Sequence, residues 1–114
     1  MSVAVTILEG GIGVLEPAGK LVGGKDTEDL RRTSDDLAAK EVKKLLIDLS
    51  NVDFLDSSGV GTLVSVQAIQ KHRGCPVYLC GVRPQVLSVL TITHLAMLFE
   101  VFGTREDALL RMRQ

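Results

Sequence analysis

A chain of 114 residues with 46% apolar content and a formal net charge of −1 suits one globular domain with its own core and speaks against wholesale disorder. Lys and Arg are balanced by Asp and Glu, with no basic stripe. Trp is absent and aromatics make up only 4%, so nucleic acid is set aside as a partner class.

The chain opens Met1-Ser2-Val3-Ala4-Val5, without a basic lead-in or a cleavable apolar segment, which gives a cytoplasmic location as the expectation. Val3 to Leu8 reads as a strand, Glu9-Gly10-Gly11 as a turn, and Gly13 to Glu16 as the start of a second strand. Pro17 suggests that this strand is an edge or carries a bulge. Gly19-Lys20-Leu21-Val22-Gly23-Gly24 reads as a flexible loop. It lacks the G-x-x-x-x-G-K-[ST] pattern of a phosphate loop. Asp26 or Thr27 is the expected cap of the first helix, with Glu28 and Asp29 in its first turn. Leu30, Leu37 and Ala38 form the expected buried stripe, while Arg31, Arg32, Asp35 and Asp36 face water. The helix ends near Lys40.

The segment KKLLIDLSNVDFLDSSGVGTLVSVQAIQKHRG, residues 43–74, organises the rest. Leu45-Leu46-Ile47 reads as a strand covered on both faces. A turn-rich Ser50-Asn51 follows, Phe54-Leu55 return toward the core, and a helix opens at Asp56-Ser57-Ser58-Gly59. Ser57 is the expected N-cap, its hydroxyl accepting from the N–H of Gly59 or Val60. Gly59 allows close backbone approach, and Gly74 stops the helix. Val60, Leu63, Val64, Val66, Ala68 and Ile69 spread wider than a one-sided stripe. Most are expected to pack within the domain, with the first turn left as an exposed apolar flank. This turn puts a hydroxyl at the carboxyl end of a strand and the amino end of a helix, where ligands and anions gather in α/β sheets.

Cys75 and Cys80 read as free thiols. With two distant His they lack zinc-site spacing, so no metal is expected. Val77 to Cys80 is a strand, and Pro84 suits the first position of a short helix whose apolar face is Val86, Leu87 and Leu90. Pro84 to Phe99 carries no formal charge, but Gln85, Ser88, Thr91, Thr93 and His94 interrupt it and it is shorter than a membrane span. It reads as a buried helix followed by a last strand at Phe99-Glu100-Val101. Thr104 caps the final helix, with Asp107 completing a weak capping box. Leu109 and Met112 pack inward. The order β-β-α-β-α-β-α-β-α gives an α/β domain with a largely parallel sheet.

This order, with Asp56-Ser57-Ser58-Gly59-Val60-Gly61 opening the second helix, resembles the STAS domain, named for sulphate transporters and anti-sigma factor antagonists. Leu46-Ile47-Asp48-Leu49 and Phe54-Leu55 strengthen the likeness. Gly19-Lys20-Leu21, the Leu30 helix, and Leu90-Thr91-Ile92-Thr93 before Phe99-Glu100-Val101 extend it nearly end to end. The resemblance implies one STAS-like α/β domain over residues 1–114, with a four- to five-stranded mixed sheet and helices mainly on one face. The amino-terminal hairpin strand is the expected antiparallel exception. Leu46, Ile47, Leu49, Leu63, Val77, Leu79 and Leu90 are expected to be buried.

The resemblance also implies a free-standing bacterial anti-sigma factor antagonist, a regulator of transcription that is neither an enzyme nor the holder of a cofactor. Unphosphorylated, such a protein binds an anti-sigma factor that is also a serine kinase, and a sigma factor is released. The kinase phosphorylates the serine after the Asp, here Ser57, and a PP2C-type phosphatase reverses it. The expected partner-binding residues are Leu21, Val22, Gly23 and Gly24 of the early loop and Asp56, Ser57, Ser58, Gly59 and Val60 of the helix opening. Many antagonists carry an Asp where this chain has Val22.

Two other readings compete. A serine nucleophile at Ser57 or Ser58 would need a base within hydrogen-bond reach. His72 lies several turns along the same helix, His94 could approach only through tertiary contact, and the G-x-S-x-G elbow is absent. Alternatively, the same fold could serve as a STAS subunit of a lipid transporter or of a larger signalling assembly, with Ser57 never phosphorylated. Direct membrane insertion is not expected.

Overall fold

A computed structural model describes residues 2–92 and 96–114. Met1, Thr93, His94 and Leu95 lie outside the described residues, and with them the expectations placed on Thr93 and His94. Strand β1 (Ser2–Leu8) and strand β2 (Ile12–Leu21) form the expected antiparallel hairpin. Helix α1 (Lys25–Ala39), β3 (Lys44–Asp48), β4 (Val52–Leu55), α2 (Ser57–His72), β5 (Val77–Cys80), α3 (Pro84–Ile92), β6 (Glu100–Phe102) and α4 (Arg105–Met112) follow. The sheet runs β1-β2-β3-β5-β6, and β4 pairs separately with the end of β2. Among the described residues only the β1–β2 pairing is antiparallel.

The central strand follows from its sequence. Leu45, Leu46, Ile47 and Leu49 are wholly buried, because β3 lies between β2 and β5 and is covered on both faces. Leu45, Ile47 and Leu49 join the larger core with Leu30, Leu37, Leu63, Val77, Leu79 and Leu90, beneath α1, α2 and α3. Leu46 turns to the other face and packs with Ile12, Val14, Cys80, Ala108 and Met112 under α4. Helices α1, α2 and α3 therefore cover one face and α4 covers the other.

Several expectations shift. Among the described residues the sheet has six strands, because Val52–Leu55 forms β4. This strand is four residues long and turns Val52 and Leu55 inward, while Asp53 and Phe54 are exposed, so it carries no in–out alternation for the sequence to show. Phe54 does not return to the core. The flexible loop shrinks to Val22–Gly24, since β2 continues to Leu21. Nor is β2 an edge strand. Pro17 lies between its β3-paired and β4-paired stretches, and the irregularity falls just beyond, between Gly19 and Lys20. Helix α1 is capped by Gly24 rather than by Asp26 or Thr27. The Thr27 hydroxyl donates to the Gly24 carbonyl oxygen instead of accepting. Arg31 and Asp35 are half-buried, and Asp35 accepts bonds from Gln70 and Arg73 of the α2 end. Leu87 of α3 is exposed, and the last strand sits one residue later than expected.

Candidate functional site

Helix α2 begins where β2 and β4 end side by side. The Leu21 carbonyl oxygen accepts the Asp56 N–H at 3.3 Å. It also lies 2.2 Å from where a β-carbon on Gly59 would stand, so only glycine lets the helix sit this close. The Asp56 side chain is the N-cap. Its Oδ1 accepts the Gly59 N–H at 2.8 Å, and its Oδ2 faces the Gly23 N–H at 3.5 Å. One carboxylate thus ties the helix start to the Val22–Gly24 loop. Gly23 in turn abuts Ser58, whose Oγ lies 3.1 Å from its notional β-carbon.

The expected cap at Ser57 is therefore corrected. Asp56 has the extended backbone of a capping residue, and Ser57 is the first helical residue. An aspartate carboxylate caps by a charge-assisted bond and lies favourably at the positive end of the helix. Ser57 is left exposed with no part in the cap.

The residues expected to meet a partner divide by exposure. Gly23, Gly24, Ser57 and Ser58 are exposed, and Val22 and Asp56 are half-buried. Leu21, Gly59 and Val60 are buried. They build the turn from beneath and offer no side chain to a partner. The first-turn apolar flank is thus absent at Val60, which packs into the main core. The reason is the close seating of α2 on β2, which turns the second residue after Ser58 inward.

A polar cluster built around the buried Asp48 supports the strand ends behind this turn. Asp48, at the end of β3 and 5% exposed, accepts the Ser50 N–H at 3.0 Å and the Ser50 hydroxyl. Arg105, at the start of α4, reaches Asp48 at 2.9 Å and Glu16 at 2.6 Å. Asn51 donates to Glu16 at 2.8 Å, and Arg83 donates to the Ser50 carbonyl oxygen. Burial pushes the Asp48 carboxyl up, but the Ser50 bonds and the Arg105 guanidinium outweigh it and hold the group below its ordinary value. The cluster fixes the Ser50-Asn51 turn that leads into β4 and Asp56. Sequence reading missed it, although a lone Asp closing an apolar strand is a signal that a buried partner waits.

Among the described residues, no histidine stands beside Ser57. Ser57 and His72 stand at opposite ends of a 16-residue helix, about 22 Å apart along its axis. The Cys80 thiol is pushed up to about 12, first by burial and then by the Asp48 charge, so it stays protonated and unreactive. Cys75 and Cys80 are both free and buried. A cleft of about 820 Å³ lies at the other end of the sheet, between the ends of α1 and α2, and is lined in part by Val42, Lys43, Arg73 and Cys75.

The STAS domain family model matches residues 4–108. The chain belongs to the STAS domain family. A Paenibacillus polymyxa protein described as an anti-sigma F factor antagonist is 26% identical over 85 residues, 73% of this chain and 73% of that protein. A Thermotoga maritima structure, described as a candidate anti-sigma factor antagonist, has a TM-score of 0.88 at 21% identity, covering 98% of this chain and 95% of that one. The anti-sigma factor antagonist SpoIIAA, unphosphorylated, matches with a TM-score of 0.82 at 20% identity, over 98% of this chain and 96% of that one. The Bacillus SpoIIAA in phosphorylated form matches with 0.75 at 19%, over 97% and 99%. At such identities the structural likeness speaks for the fold alone. In this STAS domain, then, the exposed face of the α2 start comprises Gly23, Gly24, Ser57 and Ser58. Gly61, one turn after Ser57 on the same helix, is also exposed, as is Phe54 of β4, which the sequence had placed toward the core.

Proposed function

We propose that this STAS domain is an anti-sigma factor antagonist switched by phosphorylation of Ser57. Unmodified, the exposed start of α2 and the Val22–Gly24 loop bind an anti-sigma factor that is also a serine kinase, and a sigma factor is released. A PP2C-type phosphatase restores the modified protein. The protein is a regulator and a substrate, works in the cytoplasm, and catalyses nothing itself. Among its described residues no helix is long and apolar enough to cross a membrane.

The observation that carries this reading is the division of labour between Asp56 and Ser57. Asp56 holds the helix start, which leaves the Ser57 hydroxyl exposed and open to a kinase. A phosphate there adds about 1.5 to 2 negative charges. The helix start accommodates part of that charge, although the Asp56 carboxylate opposes it. The domain stays folded while a partner covering the turn is repelled. The relative described as an anti-sigma F factor antagonist supports the partner class.

Phosphosite mapping tests the reading. The protein, with Ser57→Ala and Ser58→Ala variants, is incubated with ATP and its cognate kinase, captured from the native cell. Modification at Ser57, lost only in Ser57→Ala, is expected. Modification confined to Ser58 would overturn it.

A further inference from the structure

Strand β1 is the outer strand of the sheet, and among the described residues no strand pairs with its free edge. It reads SVAVTIL over seven residues, with no charge, proline or glycine. Proteins usually blunt such an edge with lysine, proline, a bulge or brevity, because its open backbone groups invite another strand. The opposite edge is blunted in this way, since β6 is three residues long and carries Glu100 paired with Arg111. On β1, Val5 and Ile7 are 45% and 54% exposed. They share a face with Val3, which packs against the main core.

We propose that β1 is a homodimer interface. The β1 strands of two copies pair antiparallel about a two-fold axis at Val5, joining two sheets into one. In this register Val5 faces Val5 of the second copy, Val3 faces Ile7, and Ala4 faces Thr6. The strand is its own antiparallel complement. Its apolar face meets an apolar face and no like charges meet, which commits the edge to a second copy rather than to an unrelated strand. Pairing along one strand is narrower than a standard interface, so the dimer is weak and concentration-dependent. Residues of the Ser57 turn take no part, and the inference stands apart from the reading of Ser57.

Sedimentation velocity of the full chain from micromolar to near-millimolar concentration tests this. The wild type is expected to shift from monomer to dimer. Val5→Lys sets two ammonium groups face to face and is expected to weaken the dimer at least ten-fold with the circular dichroism spectrum unchanged. Under mild oxidation Val5→Cys is expected to cross-link, since directly opposed residues stand about 4.5–5.5 Å apart, within disulfide reach. Ile7→Cys, facing Val3, is expected to cross-link at least ten-fold more slowly. The native Cys75 and Cys80 are buried. A wild type that stays monomeric, a dimer indifferent to Val5→Lys, or equal cross-linking by both cysteine variants would each overturn the proposal. The first outcome would leave the edge to a strand of another protein.

Discussion

The missing side chain of Gly59 is filled by the carbonyl oxygen of Leu21, which lies 2.2 Å from where a β-carbon would stand. Two backbones meet there, and the start of α2 is seated on the end of β2. Gly59→Ala must push them apart. A loss of about 1–3 kcal/mol is expected, as for other overpacked sites. Gly61, two residues further along α2, has open space where its β-carbon would go, and Gly61→Ala is expected to gain up to about 1 kcal/mol of helix propensity. Urea denaturation of the two variants checks the contrast, and equal effects would refute this seating.

Capping by Asp56 separates two neighbouring residues that the sequence makes look equivalent. Asp56→Ala removes the acceptor of the Gly59 N–H and is expected to cost about 0.5–2 kcal/mol. Ser57→Ala removes an exposed hydroxyl outside the cap and is expected to change stability by less than about 0.5 kcal/mol. Thermal or urea unfolding distinguishes them. A larger loss for Ser57→Ala would return the cap to the serine.

Asp48 gives the domain a defined acid limb. Its folded carboxyl is pushed up by burial but held below 3.8 by Ser50 and Arg105. The unfolded chain therefore takes up this proton at higher pH than the folded one. The stability it contributes is fully present above the ordinary carboxylate range and is lost as pH falls through the lower folded value. Asp48→Asn also leaves Arg105 with Glu16 alone and is expected to cost about 1–3 kcal/mol at neutral pH. The gap between wild type and Asp48→Asn is expected to be constant from neutral pH down to about 5 and to narrow below about 4. A gap that does not change through that range would contradict the assigned role of the carboxylate.

Much of this arrangement is legible in the sequence because its signals are local. The doubly covered β3 follows from Leu45-Leu46-Ile47, and the α3 start follows from Pro84. Thr104 caps α4 by accepting the Asp107 N–H at 3.1 Å. The errors arise where tertiary contact decides. Asp56 and Ser57 are both good caps, and only the approach of Leu21 and Gly23 selects the aspartate. Val60 reads as a flank residue until α2 is seated on β2. The cluster of Glu16, Asp48 and Arg105 joins residues from β2, β3 and α4, a separation that no periodicity reports.

The burial of Val60 also decides which substitution probes the partner surface. Val60 is 5% exposed, so Val60→Glu would bury a charge, and loss of binding would only report unfolding. Gly61→Glu projects into solvent beside the same turn. It is expected to weaken partner capture at least ten-fold while stability stays within about 1 kcal/mol of the wild type. Pull-down with the anti-sigma partner, paired with a melting curve, checks both halves. Unchanged capture would place the interface elsewhere.

The most direct test of the proposed switch is calorimetric titration of the proposed anti-sigma kinase partner with the unmodified protein and with the Ser57-phosphorylated protein, with melting curves of both forms alongside. A partner that buries an uncompensated charge loses about 3–5 kcal/mol, while a hundred-fold weakening needs only about 2.8 kcal/mol. At least a hundred-fold loss of affinity on phosphorylation is therefore expected, with both forms folded and Ser57→Asp intermediate. Equal affinity of the two forms would contradict the proposed mechanism.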